Sequence, residues 1–181
     1  MAEADKQNST PPEEVPIRDA ATVIMLRDGA QGLETFMLRR NKRNVFGPGA
    51  YVFPGGAVDR ADAGPTLRAL CDGLDDGEAS RRLGIDGGGL AFWVAAIREC
   101  FEEAGLLLAT QGDGRPVSPA RDFRSQRQAL NAGSLAMADF CRDQNLRLPL
   151  QDIVYYGHWI TPVGEPRRFS TRFFACSTPH G

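Results

Sequence analysis

The stretch of sequence that decides the fold is Arg98-Glu99-Cys100-Phe101-Glu102-Glu103-Ala104-Gly105-Leu106. An apolar run precedes it, so the two together predict a helix over Leu90–Ala104 that stops at Gly105. In such a helix Glu99 lies one turn before Glu102 and Glu103, so the three carboxylates share one face. Crowded carboxylates repel each other, and a hard divalent cation with oxygen ligands compensates that charge. The segment therefore predicts a Mg²⁺ site that handles phosphates.

The composition is that of an ordinary globular domain, with 181 residues, 42% hydrophobic and 24% charged, and a formal net charge of -2. This balance excludes a nonspecific nucleic-acid binder, because such proteins carry a strong positive charge. Residues 1–18 are polar, acidic and proline-bearing, which predicts a disordered tail ahead of one domain over 19–181. No apolar run approaches the length of a membrane span, so no membrane partner is expected.

The cysteines do not form a metal-binding or disulfide pattern. None belongs to a CxxC pair, and the chain has only two histidines, so a zinc site has little support. We interpret the cysteines as reduced thiols in a cytoplasmic protein. They are Cys71, Cys100, Cys141 and Cys176.

Strands and short helices are predicted on both sides of this helix. The predicted strands span 20–26, 33–38, 51–53, 152–160 and 169–176, the first two as a hairpin. The third strand ends at Pro54-Gly55-Gly56, whose glycines permit a close approach that a Cβ would block; the alternative is a plain turn. Two short helices are predicted at 65–72 and 78–83, and an αα-hairpin at 119–131 and 134–145 around Gly133. The pattern predicts an α/β fold.

The quoted residues resemble the signature of the Nudix hydrolases, G-x5-E-x7-R-E-U-x-E-E-x-G-U, where U is aliphatic. Its second half is matched from Arg98 to Leu106, except that Cys100 replaces an aliphatic residue. Its first half is matched by Gly56, with Asp62 in place of the glutamate, and a long insertion over 59–89 separates the halves. The resemblance implies an α/β/α sandwich with a mixed sheet, a helical insertion inside the signature and an added αα-hairpin.

The resemblance also implies a role for each signature residue. Glu102 and Glu103 are the expected ligands of Mg²⁺ or Mn²⁺, and Glu99 completes the metal site or positions the attacking water. Arg98 is expected to orient the glutamates rather than touch substrate. Asp59 and Asp62 either approach the metal, Asp62 through a water, or cap a short following helix. The glutamates and the arginine are the predicted catalytic residues.

The stretch before the signature is similar to the one found in coenzyme A diphosphatases of the same family. Gly49 and Phe53-Pro54-Gly55-Gly56 match, and Arg40 falls at the first arginine of that pattern, with Arg43 near the second. The resemblance implies substrate contacts from Arg40, Arg43, Gly55 and Gly56. An arginine here would hold the 3′-phosphate of coenzyme A, because its planar fork suits phosphate oxygens.

The rest of the chain is similar to the branch of the family that includes acyl-coenzyme A diphosphatases. The likeness rests on the long insertion, on Trp159-Ile160-Thr161-Pro162, and on the stretch from Pro166 to Phe174. We interpret Arg167, Arg168 and Arg172 as a charged sheet edge. Trp159 and Phe173-Phe174 are interpreted as core, and His158 as a structural or surface residue.

Three functions are open at this point. The first is hydrolysis of coenzyme A or acyl-coenzyme A; the second is hydrolysis of a nucleotide sugar, ADP-ribose or NADH; the third is a catalytically idle domain that binds a nucleotide as a regulator. The resemblance also implies another strand and a closing helix after residue 176, which this sequence lacks. Uncovered apolar surface would then favour self-association, for which a homodimer is the simplest state.

Overall fold

A computed structural model describes residues 15–40 and 49–178, and the centre of its main sheet is a long first strand. This strand, β1 (Ile17–Gly29), pairs in parallel with the last strand, β10 (Arg168–Ser177). Along its other edge β1 pairs antiparallel with β2 (Gly32–Thr35) and with β5 (Gly55–Ala57), and β9 (Val154–Ile160) pairs antiparallel with β10. The mixed sheet is therefore confirmed.

The first strand is longer than predicted. It begins at Ile17, inside the predicted tail, because pairing with β10 extends from Ile17 to Leu26. It ends at Gly29, beyond the predicted end at residue 26, because it forms the expected hairpin with β2. Residues 1–14 of the tail lie outside the described part of the chain.

The predicted strand 33–38 is divided into two. β2 ends at Thr35, and β3 (Leu38–Arg39) then pairs with β4 (Tyr51–Val52) in a separate two-stranded sheet. The third strand was predicted to end at Pro54-Gly55-Gly56, but its two glycines belong to a further strand, β5, and pair with Ala21 and Thr22 of β1. Pairings of only two or three residues, such as β3 with β4 and β5 with β1, leave no periodic pattern in the sequence.

The helix α3 (Leu90–Ala104) has the predicted bounds. Its apolar first half is buried against β1, β5 and β10, and Trp93 donates from Nε1 to the carbonyl of Ile153 at 2.9 Å. The helix ends at Gly105, whose φ of 75° is a left-handed conformation that glycine adopts without strain. Packing and cap together place the carboxylates in the last two turns.

The insertion contains more than the two predicted helices. A short 3₁₀ turn (Arg60–Ala63) precedes α1 (Pro65–Ala69), and α2 (Asp76–Leu83) follows. The helix predicted over 65–72 ends early because Cys71–Asp72 forms strand β6. This strand joins a small sheet with two unpredicted strands, in the order β6, β8 (Leu146–Pro149), β7 (Thr110–Gln111).

The predicted αα-hairpin is present but both of its helices are shorter than expected. They are α4 (Arg124–Asn131) and α5 (Met137–Asp143). The last two predicted strands are confirmed as β9 and β10, although β9 starts at Val154 because a 3₁₀ turn (Leu150–Asp152) precedes it. Phe140 of α5 stacks on Phe101 of α3 at a centroid distance of 5.3 Å, which joins the hairpin to the core.

Two side-chain interpretations are corrected. Trp159 is not core, because its side chain lies on edge strand β9 and is 68% exposed. Arg172 is not a charged sheet edge, because it is buried on the helix-bearing face of the sheet and lies over the ring of Phe92. The sequence cannot distinguish these cases, because both depend on which strand lies at the edge.

Within residues 15–40 and 49–178, no helix is long and apolar enough to cross a membrane.

Candidate active site

The three predicted carboxylates lie on the last two turns of α3. Glu99 and Glu102 are mostly buried, with side chains 14% and 17% exposed, whereas Glu103 is exposed at the helix end. Their helix packs directly on β5, which carries Gly55 and Gly56. The fold therefore brings together the two halves of the signature that the insertion separates in sequence.

Arg98 joins these groups through a nearly buried guanidinium. Its Nη1 donates to Glu99 Oε1 at 2.8 Å and to Glu102 Oε2 at 3.0 Å, and Nη2 donates to the carbonyl of Ala57 at 2.8 Å. Burial disfavours the charged form, but the hydrogen bonds and charges of Asp62 and Glu99 outweigh it and raise the pKa of Arg98. The guanidinium thus stays charged and sets the direction in which two of the glutamates point.

Asp62 supports Arg98 from the insertion. The carboxylate is 2% exposed and binds Arg98 in a forked pair, Nε to Oδ1 at 2.9 Å and Nη2 to Oδ2 at 3.0 Å. Its Oδ2 also accepts the backbone N–H of Asp59 at 2.8 Å, at the start of the 3₁₀ turn. Of the two roles considered, the geometry therefore matches capping, together with an arginine contact that the sequence did not predict.

The two glycines of β5 allow the strand to lie against the carboxylates. The N–H of Gly55 donates to Glu103 Oε2 at 3.0 Å. A Cβ on Gly56 would overlap the carboxylate of Glu99, and a Cβ on Gly55 would lie 2.7 Å from Cα of Thr22. The close approach expected at the two glycines is therefore present: Gly56 leaves room for the Glu99 carboxylate, and Gly55 allows β5 to lie close to the backbone of β1.

The cluster carries more negative than positive charge. Asp59, Asp62, Glu99 and Glu102 all lie within ion-pair distance of the Arg98 guanidinium, and Glu103 lies close enough to Glu99 to raise the pKa of that carboxyl. Burial raises the pKa of Glu99 and of Glu102, and neighbouring carboxylates raise both further, although Arg98 opposes the shift. Excess negative charge of this kind is what a bound cation would balance.

The donor set fits a hard divalent cation in chemistry, although the carboxylates do not already converge on one point. Among the described residues, no three His, Cys, Asp or Glu side chains are arranged as a metal site. Each glutamate engages protein through one oxygen, and in the part of the chain that the structure describes the second oxygen accepts no hydrogen bond. Mg²⁺ keeps several of its waters and needs only one or two carboxylates from a protein. The free oxygens of these glutamates are therefore enough to fit such an ion.

Cys100 occupies the aliphatic position of the signature as a small apolar residue. It is fully buried, its Sγ lies 3.5 Å from Sδ of Met25, and burial raises the pKa of its thiol to about 12. The substitution therefore preserves the packing of α3. All four cysteines are free thiols, as predicted.

Of the two predicted substrate arginines, the structure describes only Arg40. Arg40 is half-buried directly after β3, and its backbone N–H donates to the carbonyl of Ala50 at 2.9 Å. Arg43 lies outside the described residues.

A cavity of about 430 Å³ also lies beside the end of α3, between Leu106, Leu107 and Phe123, and none of the three glutamates lines it.

Comparison with known proteins agrees with this geometry. The family model described as the NUDT19 Nudix domain matches residues 81–181, which is more than half of the chain. The chain therefore belongs to the Nudix family, and within it to the group that this model represents. The crystal structure of a NUDIX hydrolase from Alicyclobacillus acidocaldarius shares the fold, with a TM-score of 0.75 and 31% identity over 92% of this chain and 72% of that one.

Curated relatives include two proteins named acyl-coenzyme A diphosphatase NUDT19. The Gallus gallus protein is 29% identical over 88% of this chain and 54% of its own length, and the Homo sapiens protein is 27% identical over 81% and 48%. Putative nudix hydrolase 7 of Caenorhabditis elegans is 29% identical over 87% of this chain and 43% of its own length. The chain thus spans about half the length of the curated relatives it matches.

Proposed function

We propose that this chain is a metal-dependent diphosphatase that cleaves coenzyme A or acyl-coenzyme A to 3′,5′-ADP and 4′-phosphopantetheine or its acyl form. The observation that carries the proposal is the carboxylate cluster of α3, packed on Gly55 and Gly56 and held by Arg98. The names of the curated relatives support the choice of substrate.

Some residues of the cluster would bind the metal, and others orient the metal ligands or the attacking water. Glu102 and Glu103 would hold Mg²⁺ or Mn²⁺, which when bound supplies Lewis-acid stabilisation of the charge on the diphosphate. Glu99 completes this donor set or positions the attacking water. Arg98 holds Glu99 and Glu102 in place and is itself held by Asp62, so it acts through the carboxylates and not on substrate.

A substrate panel tests the proposal against its alternatives. Coenzyme A, acetyl-coenzyme A, ADP-ribose, NADH and UDP-glucose would each be incubated with Mg²⁺ or Mn²⁺. Preference for the first two supports the proposal, whereas preference for one of the others identifies a different diphosphatase. Absence of metal-dependent turnover on every substrate would support the idle, nucleotide-binding domain instead.

We also propose a cytoplasmic location, because all four cysteines are free thiols, and a homodimer as the self-associated state.

Gly56→Ala is expected to lower turnover by about 10- to 100-fold, because small displacements of catalytic groups have effects of this size. The new Cβ would displace the Glu99 carboxylate from Arg98 without entering the apolar core. Gly87→Ala is the matched control, since a Cβ there meets no atom within 4 Å. Equal turnover of both variants would show that the close approach of β5 to Glu99 does not matter.

Arg40→Ala is expected to reduce kcat/KM for coenzyme A about tenfold more than for dephospho-coenzyme A. A phosphate–arginine contact discriminates only when the 3′-phosphate is present, and charged hydrogen bonds have energies of this order. Arg39→Ala is the control, because this neighbouring arginine lies over the ring of Tyr51 at 5.9 Å. Equal losses on the two substrates would show that Arg40 does not bind the 3′-phosphate, and Arg43 would be the next candidate.

A further inference from the structure

The last turn of α3 is held by side chains from α4. Nε of Arg127 donates to the carbonyl of Glu102 at 2.9 Å, and Nη2 of the same guanidinium donates to the carbonyl of Glu103. Nδ2 of Asn131 also donates to the carbonyl of Glu102, at 3.2 Å. The last four carbonyls of a helix have no partner within it, and a cation there also interacts favourably with the helix dipole.

These carbonyls belong to the two residues that we propose as principal metal ligands. Arg127 therefore binds the backbone of Glu102 and Glu103, whereas Arg98 and the N–H of Gly55 bind their side chains. The two sets of contacts approach the same two residues from different elements. Without the first set, the glutamates would lie on a helix end of the kind that frays.

Gly105 lies directly beside the Arg127 guanidinium. Its φ of 75° turns the chain away from the helix, and a Cβ at this position would lie 3.2 Å from Nη1 of Arg127. The glycine of the signature thus serves as the helix stop and also lets the guanidinium approach without crowding by a Cβ. The αα-hairpin that follows the signature is thereby connected to the carboxylate cluster.

We propose that Arg127, assisted by Asn131, is a positioning residue that holds the last turn of α3 so that the carboxylates of Glu102 and Glu103 can bind one divalent cation. The proposal rests on the proposed function only in taking these glutamates as metal ligands. Arg127 does not touch the metal or the substrate; it acts through two backbone carbonyls. A guanidinium is suited to this role because one planar fork reaches two adjacent carbonyls, which a lysine cannot do.

The test measures Mn²⁺ binding to the whole chain by titration calorimetry without substrate, together with the melting temperature. Arg127→Met is expected to raise the dissociation constant of Mn²⁺ by about 10-fold or more, the usual effect of losing a residue that orients a metal ligand. Arg127→Lys should give an intermediate value, and Asn131→Ala a smaller one. Arg124→Met is the matched control, because Arg124 lies on the same helix and its guanidinium pairs with exposed Asp122.

The outcomes separate positioning from simple helix capping. Unchanged Mn²⁺ affinity in Arg127→Met, with only a lower melting temperature, would overturn the proposal. If Arg127→Met does not fold, the Mn²⁺ affinities of Arg127→Lys and Arg124→Met are compared instead. Equal affinities of these two variants would then overturn the proposal. Mn²⁺ binding by the wild-type chain without turnover of coenzyme A would contradict the proposed substrate but not the positioning role. Absence of Mn²⁺ binding by the wild-type chain would contradict both.

Discussion

Replacement of Glu103 by glutamine is expected to lower metal-dependent turnover by at least ~10²-fold while the fold stays intact, because loss of one transition-state electrostatic partner has effects of this size. Glutamine retains the shape and the hydrogen bond from the N–H of Gly55 but loses the negative charge. The measurement is kcat/KM with Mg²⁺ on the preferred substrate of the panel. A thermal melt and a far-UV spectrum of the same sample verify folding.

The control for this substitution is Glu34→Gln, which removes the same charge from an exposed glutamate paired with Arg27 on the β1–β2 hairpin. This variant should retain full turnover. Glu102→Gln should resemble Glu103→Gln, and the double variant should lose far less than the product of the two losses, since the residues act as one unit. Near-normal activity in folded Glu103→Gln would show that the metal assignment is wrong.

Arg98→Met is expected to reduce the free energy of unfolding by about 3–5 kcal/mol, the usual result of removing one partner from a buried ion pair. Asp62, at 2% exposure, would lose its forked contact, and Glu99 and Glu102 would lose their shared donor. Urea denaturation measures the change. The exposed pair Arg27–Glu34 offers a matched comparison, and Arg27→Met should cost less than about 1 kcal/mol.

A double variant identifies the source of this loss. Asp62→Asn in the Arg98→Met background should recover part of the lost stability, because the uncompensated buried carboxylate is then removed. The same substitution in the wild-type background should be destabilising, since it weakens a forked pair. Strict additivity of the two single effects would show that Asp62 and Arg98 do not depend on each other, contrary to the geometry.

The helix that carries the site is predictable because its signals are local. An apolar first half, three carboxylates within five residues and a glycine at the end are enough to define Leu90–Ala104 and its stop. Strands β9 and β10 were predicted to within two residues for the same reason, since each is a dense apolar and aromatic run. The family signature adds expected roles for the glutamates, which remain predictions.

Contacts between distant segments were not predictable. The sequence did not predict that Asp62 would bind Arg98 across 36 residues, nor that Cys71–Asp72 would pair with β8 instead of extending α1. Such pairings leave no periodic pattern, so the local sequence does not predict them.

The sequence by itself determined that a helix with three clustered carboxylates exists, where it begins and ends, and which residue types are available to hold a cation. Only the tertiary structure decided which distant groups hold that end of the helix: Asp62 binds Arg98, the N–H of Gly55 binds Glu103, and Arg127 binds the backbone carbonyls of Glu102 and Glu103. The physical reason is that helix periodicity and capping act over a few residues. The buried contacts that orient a side chain depend instead on which distant segments pack together.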